Sequence, residues 1–173
     1  MSKCSIRALS VNDWALYKSL RLRALQDSPE AFDSTFASES MLQDSAWMAK
    51  LERGEHKTMA IPLVAEIDGK PQGLVWGVQH SNNDKAGYIY QMWVAADARG
   101  NGVGRELLDA VIAWARAAQL DWLELSVTPS NAAAILLYQS AGVEYAGNIE
   151  GQQAASLLKS HSMVLSLHDG IAR

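Results

Sequence analysis

Tyr88-Ile89-Tyr90-Gln91-Met92-Trp93-Val94 is followed closely by Arg99-Gly100-Asn101-Gly102-Val103-Gly104-Arg105, and these two runs decide the fold. The first is apolar and aromatic, as a buried strand is. The second carries glycine at alternate positions, which removes side-chain bulk and opens backbone conformations closed to other residues. From Glu106 to Gln119 the pattern turns helical. The first N–H groups of a helix lack internal partners and carry the positive end of its macrodipole. Strand, Gly-rich turn and helix start is a layout that binds phosphate. Arg99 and Arg105 flank it with charge, and we read the turn as a pyrophosphate cradle.

Two better-known cradles fail on spacing. A P-loop needs Lys-Ser/Thr after its last glycine, where Arg105-Glu106 stands. A dinucleotide fingerprint, G-x-G-x-x-G, opened by Gly100 and Gly102 meets Arg105; opened by Gly102 and Gly104 it meets Leu107. The pattern that fits is Arg-x-x-Gly-x-Gly, filled by Arg99, Gly102 and Gly104.

Working outward, Ser5 to Leu9 is a short strand candidate, and Ser10-Val11-Asn12-Asp13 opens a helix in the manner of a capping box. That helix runs to about Asp27, with Trp14, Tyr17, Leu20 and Ala24 inward and Lys18, Arg21 and Arg23 on a solvated face. Ser28-Pro29 ends it. Glu30 to Asp44 is loop or short helical turns, and a second helix spans about Ser45 to Arg53, stopped by Gly54. Thr58 to Ile67 and Gln72 to Gln79 are strands about the hairpin signal Asp68-Gly69. Pro62 places itself at an edge or bulge, since it lacks an N–H for the ladder. Gly87 to Val94 is the third strand of this meander, after a turn at Ser81 to Asp84. Val103, Leu107, Leu108, Val111, Ile112, Trp114 and Ala115 make one broad apolar face of the helix after the cradle. Trp122 to Val127 is a strand, Ala132 to Ser140 a helix stopped at Ala141-Gly142, and Val143 to Ala146 with His161 to Leu167 a closing antiparallel pair. Asn148 to Ser160 is a connection of unassigned form. The order β-α-α-β-β-β-α-β-α-β-β contains one parallel pairing in an otherwise antiparallel sheet, a mixed α/β sandwich.

The chain has 173 residues, 49% hydrophobic and 20% charged, which fits one globular domain over 1–173. Its net charge of -4 argues against a general nucleic-acid surface. No run reaches the ~18 apolar residues of a membrane span, and the N-terminus has no apolar core of signal-peptide length. The lone Cys4 cannot form an internal disulfide, so a reducing, cytoplasmic location is expected, with Cys4 a buried apolar residue. The four histidines, His56, His80, His161 and His168, lack metal-ligand spacing, and no metal is expected. His161 and His168 read as strand surface residues.

A second motif follows the cradle. Leu123 to Val127 leads to Asn131, Ala134, Leu137-Tyr138 and Gly142-Val143. Together the two motifs and the element order resemble the GNAT superfamily of N-acetyltransferases, over Tyr88 to about Tyr145, with Val143 where the family usually has Phe. The resemblance implies a GNAT fold with an acetyl-CoA-binding core at about 87–145 and acceptor-site elements at about 10–55 and 143–167. It implies acetyl-CoA as co-substrate and a small-molecule or peptide amine as acceptor, attacked directly in a ternary complex. Homodimers are frequent in the family. The alternative is an acyl-CoA sensor of the same fold without turnover.

Carried onto this chain, the resemblance puts the pyrophosphate on the backbone of Arg99, Gly100, Asn101, Gly102, Val103, Gly104 and Arg105. Met92, Trp93 and Val94 would pair with the pantetheine arm, at a bulged strand that splays from its neighbour. A free N–H there would face the thioester carbonyl, where negative charge develops. Asn131 and Ala134 would meet the arm from the other side, and Tyr138 would donate a proton to the departing thiolate. A Tyr138 that only packs against the cofactor is the alternative. The strand has no Glu or Asp to act as base; Tyr90, Ser126, Glu66, Glu124 and a backbone carbonyl stay open. Glu30, Phe32 and Gln91 are candidates for the acceptor site, with Asp33, Glu39 and Asp44 as further acids suited to a cationic amine.

Overall fold

The computed structural model describes residues 2–52, 59–146 and 160–168. The elements are β1 (Cys4–Ala8), α1 (Trp14–Asp27), α2 (Phe36–Ser40), α3 (Asp44–Leu51), β2 (Ala60–Ile67), β3 (Lys70–His80) and β4 (Asn83–Val94), then α4 (Val103–Ala117), β5 (Trp122–Val127), α5 (Ala132–Ser140), β6 (Glu144–Tyr145) and β7 (His161–Ser166). Thr58, Gly54, His56 and most of the 148–160 connection lie outside the described residues.

The strands form a seven-stranded sheet in the order β1-β2-β3-β4-β5-β7-β6. Every pairing is antiparallel except β4 with β5. That parallel pair needs a crossover, which α4 supplies. The hairpin between β2 and β3 turns at Asp68 and Gly69, both at positive φ (50° and 80°), as the Asp-Gly pair requires. Pro62 stands one residue past the β1 ladder, whose last pair is Ala8 with Leu63, so no ladder bond is lost on that side.

Alternation along β3 sorts the helices onto two faces. Trp76 meets Tyr17 of α1, ring centroids 5.6 Å apart. Gly73 and Gly77 lie on the opposite face, beside Leu107 and Trp114 of α4. On that face α4 buries Val103, Leu107, Leu108, Val111, Ile112 and Ala115, while Trp114 is only partly covered. On the other, α1 and α3 bury Tyr17, Leu20, Ala24, Trp47 and Leu51.

Arg21 departs from the solvated face expected for it. It is 4% exposed, and its Nε donates to Glu39 Oε2 at 2.8 Å. The partner comes from α2, a short helix within the stretch that sequence pattern leaves open between loop and turns. A buried cation needs such a partner, and a partner outside α1 is invisible to the periodicity of α1. His161 also departs: both ring nitrogens are buried, and the ring packs edge-on against Tyr145 at 5.7 Å. Cys4, on the outermost strand, is half-buried rather than buried.

Candidate active site

β4 is irregular where the sequence runs Tyr90-Gln91-Met92-Trp93. Trp76 pairs with Tyr90 and Leu74 with Trp93, so β4 carries one more residue than β3 between these pairs. This is a β-bulge. Gln91 takes φ 55°, unusual for a residue with a side chain, and Tyr17 donates its hydroxyl hydrogen to Gln91 Oε1 at 2.8 Å. β4 pairs with β5 only from Ala86 to Tyr88, against Trp122 to Glu124. Past Tyr88 the two strands part and leave a V between them. The edge of β4 facing β5 is then free to bond another extended chain.

The Gly-rich turn closes one side of this V. Gly100 and Gly102 take φ +79° and +82°, and a Cβ on either would stand in open space. Gly102 caps α4, and Glu106 is the first residue to bond back, to the Gly102 carbonyl at 3.0 Å. The N–H groups of the first turn therefore have no helical partner. Gly104 has ordinary backbone; a Cβ there would press Leu137 Cδ2 at 3.0 Å, with Met92 Cε and Val94 Cγ2 at 3.7 Å. The start of α4, the end of β4 and α5 thus meet at one residue without a side chain. A cleft of about 610 Å³ runs along this seam, lined by Met92, Trp93, Val94, Gly100, Gly102 and Gly104 on one side. Asn131, Ala134, Leu137 and Tyr138 line the other. Open backbone donors at a helix start, beside an unpaired strand edge, suit a diphosphate joined to an amide-bearing arm.

The guanidinium groups beside the turn are partly committed elsewhere. Arg99 donates through Nε to the Val94 carbonyl at 2.9 Å and forms an ion pair with Asp27. Arg105 pairs with Asp109 at 2.9 Å and donates to the Ser140 carbonyl at 3.2 Å. The open donors of the turn itself are backbone N–H groups, and each guanidinium keeps further N–H groups beyond these bonds. Trp93 turns its ring into the core, with Nε1 donating to Asp27 Oδ2 at 3.0 Å, so only its backbone can serve the cleft.

Asn131 caps α5: its Oδ1 accepts from the Ala134 N–H at 3.2 Å. The Asn-x-x-Ala spacing of the second motif is thus also a helix cap. Tyr138 lies one turn beyond Ala134 on the same face of α5, 5% exposed, on the cleft wall. Burial pushes its phenol well above the ordinary value of 10.0, so it stays protonated at neutral pH.

A second cavity, of about 710 Å³, opens on the other side of the bulge. Glu30, Phe32, Ile89, Gln91, Ser126 and Thr128 line both, so the two meet through the V. Thr128 Oγ1 donates to the Glu30 carbonyl at 2.9 Å, which ties the loop after α1 to the end of β5. Among the expected acids, Glu30 and Asp33 reach this cavity. Glu39 is bound to Arg21, and Asp44 to Lys18 at 3.1 Å. Of the base candidates, Tyr90 and Ser126 line the cavity. Glu66 is paired with Arg7 at 3.2 Å, and Glu124 accepts from Trp122 Nε1 at 3.1 Å. Sequence reasoning missed Asp27 and Tyr17. Asp27 did leave a signal, being an acid at the C-terminal, negative end of a helix, where only a cationic or donor partner makes it favourable.

A bulged strand, a splayed parallel neighbour and a Gly-capped helix define the acyl-CoA N-acyltransferase class of fold. The chain belongs to the acetyltransferase (GNAT) family, which it matches over residues 21–143. It is 31% identical to a mycothiol acetyltransferase of Thermobispora bispora across 75% of this chain and 42% of that protein. It is 35% identical to an L-2,4-diaminobutyric acid acetyltransferase of Virgibacillus pantothenticus across 40% of this chain and 43% of the relative. The chain thus spans less than half the length of these curated relatives. Among solved structures it shares its fold with a protein of Salmonella typhimurium whose structure was solved with acetyl-CoA, at TM-score 0.76 and 20% identity, covering 99% of this chain and 98% of that one. No helix among the described residues is long and apolar enough to cross a membrane.

Proposed function

We propose that this protein transfers the acetyl group of acetyl-CoA to a primary amine, by direct attack within a ternary complex. The observation that carries the reading is the junction of the two cavities at the bulge. One is shaped for a diphosphate and an extended arm, the other holds acids that suit an amine, and both are lined by Gln91, Ser126 and Thr128.

Acetyl-CoA, when bound, supplies an acetyl thioester. The N–H groups from Gly100 to Arg105 hold its diphosphate, and the free edge of β4 from Met92 to Val94 holds its arm. A backbone N–H of that edge donates to the thioester oxygen as negative charge develops on it. The amine nitrogen bonds to the thioester carbon and the carbon–sulfur bond breaks. The sulfur takes its proton from Tyr138, which recovers one from water, and the nitrogen loses its proton to water near Tyr90 and Ser126. Cys4 takes no part, since β1 lies at the far edge of the sheet.

Release of free thiol with a panel of amines, acetyl-CoA being present, tests this directly. The lack of any acid from Tyr88 to Val94 favours the second reading, an acyl-CoA sensor. Turnover of any amine excludes it.

A further inference from the structure

The acceptor cavity is ordered by charge. Glu30 lies where it joins the cofactor cleft, because Glu30 lines both. Arg21 and Lys50 line the acceptor cavity alone. They come from α1 and α3, on the helical side of the sheet away from the cradle. Asp33 is exposed on the same loop as Glu30.

Arg21 has a donor to give. Its Nε and Nη2 go to Glu39, at 2.8 and 3.4 Å, and its guanidinium lies 4.8 Å from the centre of the Phe32 ring. Nη1 is buried and has no acceptor among the described residues. A buried guanidinium N–H without an acceptor is rare, because each such group forfeits its hydration. Lys50 sits over the Trp47 ring at 5.8 Å, with no carboxylate partner among the described residues. Glu39 offsets the charge of Arg21, so Lys50 is the cation of that wall without a carboxylate among the described residues, and it repels a second ammonium and favours an anion. A carboxylate entering on that side gives Lys50 a counter-ion, and a small turn of the guanidinium towards it gives Arg21 Nη1, which lies below the cavity surface, an acceptor.

We infer that the acceptor amine also carries a carboxylate, its ammonium placed at Glu30 beside the thioester and its carboxylate at Arg21 and Lys50. This rests on the acetyl-transfer reading of the cleft. An amino acid or a similar zwitterion fits; a diamine puts its second charge against Lys50, and a simple alkylamine leaves it unmatched.

The test is thiol release by the full chain, with acetyl-CoA saturating, for amino acids each paired with its amide and, for lysine and ornithine, with cadaverine and putrescine. Carboxylate acceptors should exceed their amides and diamines by about tenfold or more in kcat/KM, the worth of a hydrogen bond to a charged group. Lys50→Gln should narrow that ratio several-fold through KM rather than kcat. Lys50 is half-buried on a helix surface, so this variant folds even if changes at Arg21 do not. Amides or diamines equal to or better than the carboxylates, or a ratio untouched by Lys50→Gln, overturn the inference. Acetyl-CoA binding by calorimetry separates the levels. Binding with turnover of amines that carry no carboxylate, and of none that do, sinks this inference alone, whereas absence of turnover with every amine, or absence of binding, sinks the acetyl-transfer reading with it.

Discussion

Arg99 and Asp27, 72 positions apart in sequence, form an ion pair at the mouth of the Gly-rich turn. The same Asp27 oxygen accepts from Trp93 Nε1 at 3.0 Å and from Ser28 Oγ at 2.8 Å. Arg99 Nε holds the Val94 carbonyl at 2.9 Å. One carboxylate therefore joins the end of α1, the end of β4 and the first residue of the cradle. The arginine of the motif is here a brace for the turn.

The Trp93 N–H first, with the Ser28 hydroxyl and the Arg99 guanidinium, holds the Asp27 carboxyl below its ordinary value of 3.8. A lowered carboxyl pKa stabilises the fold above the unfolded value and loses that effect as pH falls through the folded one. Asp27→Asn should cost about 1 kcal/mol at pH 7, kept small because the pair is partly exposed. Urea unfolding should show the gap between wild type and variant closing below about pH 3.8, towards the lowered folded value.

Tyr138→Phe removes a hydroxyl that has no hydrogen-bond partner among the described residues, so stability should hold. Loss of a general acid should lower kcat by about a hundredfold while the Kd for acetyl-CoA stays within about twofold. Since burial raises the phenol above 10.0, no limb of the pH–rate profile below about pH 10 should belong to it. Thiol-release kinetics of the two proteins from pH 6 to 10 check both statements.

Tyr17 is buried between Trp47 and Trp76 and holds Gln91 at the bulge. Burial is the main reason its phenol is pushed up to about 12. Stability linked to a raised phenol is present below the unfolded value, near 10, and is lost as pH rises towards the folded one. Wild type should therefore weaken between about pH 10 and 12, and Tyr17→Phe should flatten that slope. At neutral pH the variant should lose about 1 kcal/mol and show an impaired kcat/KM for the amine, because Gln91 is released. Denaturation at several alkaline pH values separates the two effects.

What the sequence makes legible follows from the range of the forces concerned. The hairpin at Asp68-Gly69, the Gly-rich turn between β4 and α4, and the stop at Gly142 (φ +91°) are local backbone chemistry, and each is where the residues place it. The broad apolar face of α4 is periodic and equally plain. Arg21, Asp27 and Tyr17 are not local: their partners Glu39, Arg99 and Gln91 lie 18, 72 and 74 positions away. Pattern along α1 cannot show them, so Arg21 reads as a solvated residue and Asp27 as a helix end. Gln91 at positive φ carries no residue signal either, since the bulge is imposed by the register of β3 against β4. The acid candidates show the same limit. Composition offers Glu30, Asp33, Glu39 and Asp44 alike, and only packing separates the two that reach the cavity from the two held in ion pairs.

The central claim is that the turn from Arg99 to Arg105 is a cradle for the diphosphate of acetyl-CoA. Gly102 stands at φ +82° at the start of α4, where an L side chain costs about 1–2 kcal/mol and a carboxylate would occupy the anion's place. Calorimetric titration with acetyl-CoA, ATP and NAD, on wild type and Gly102→Glu, tests it most directly. The account predicts binding of acetyl-CoA alone, with Kd on the order of micromolar, abolished in a variant that remains folded by circular dichroism. Failure of the folded wild type to bind acetyl-CoA, or undiminished binding by Gly102→Glu, would contradict it.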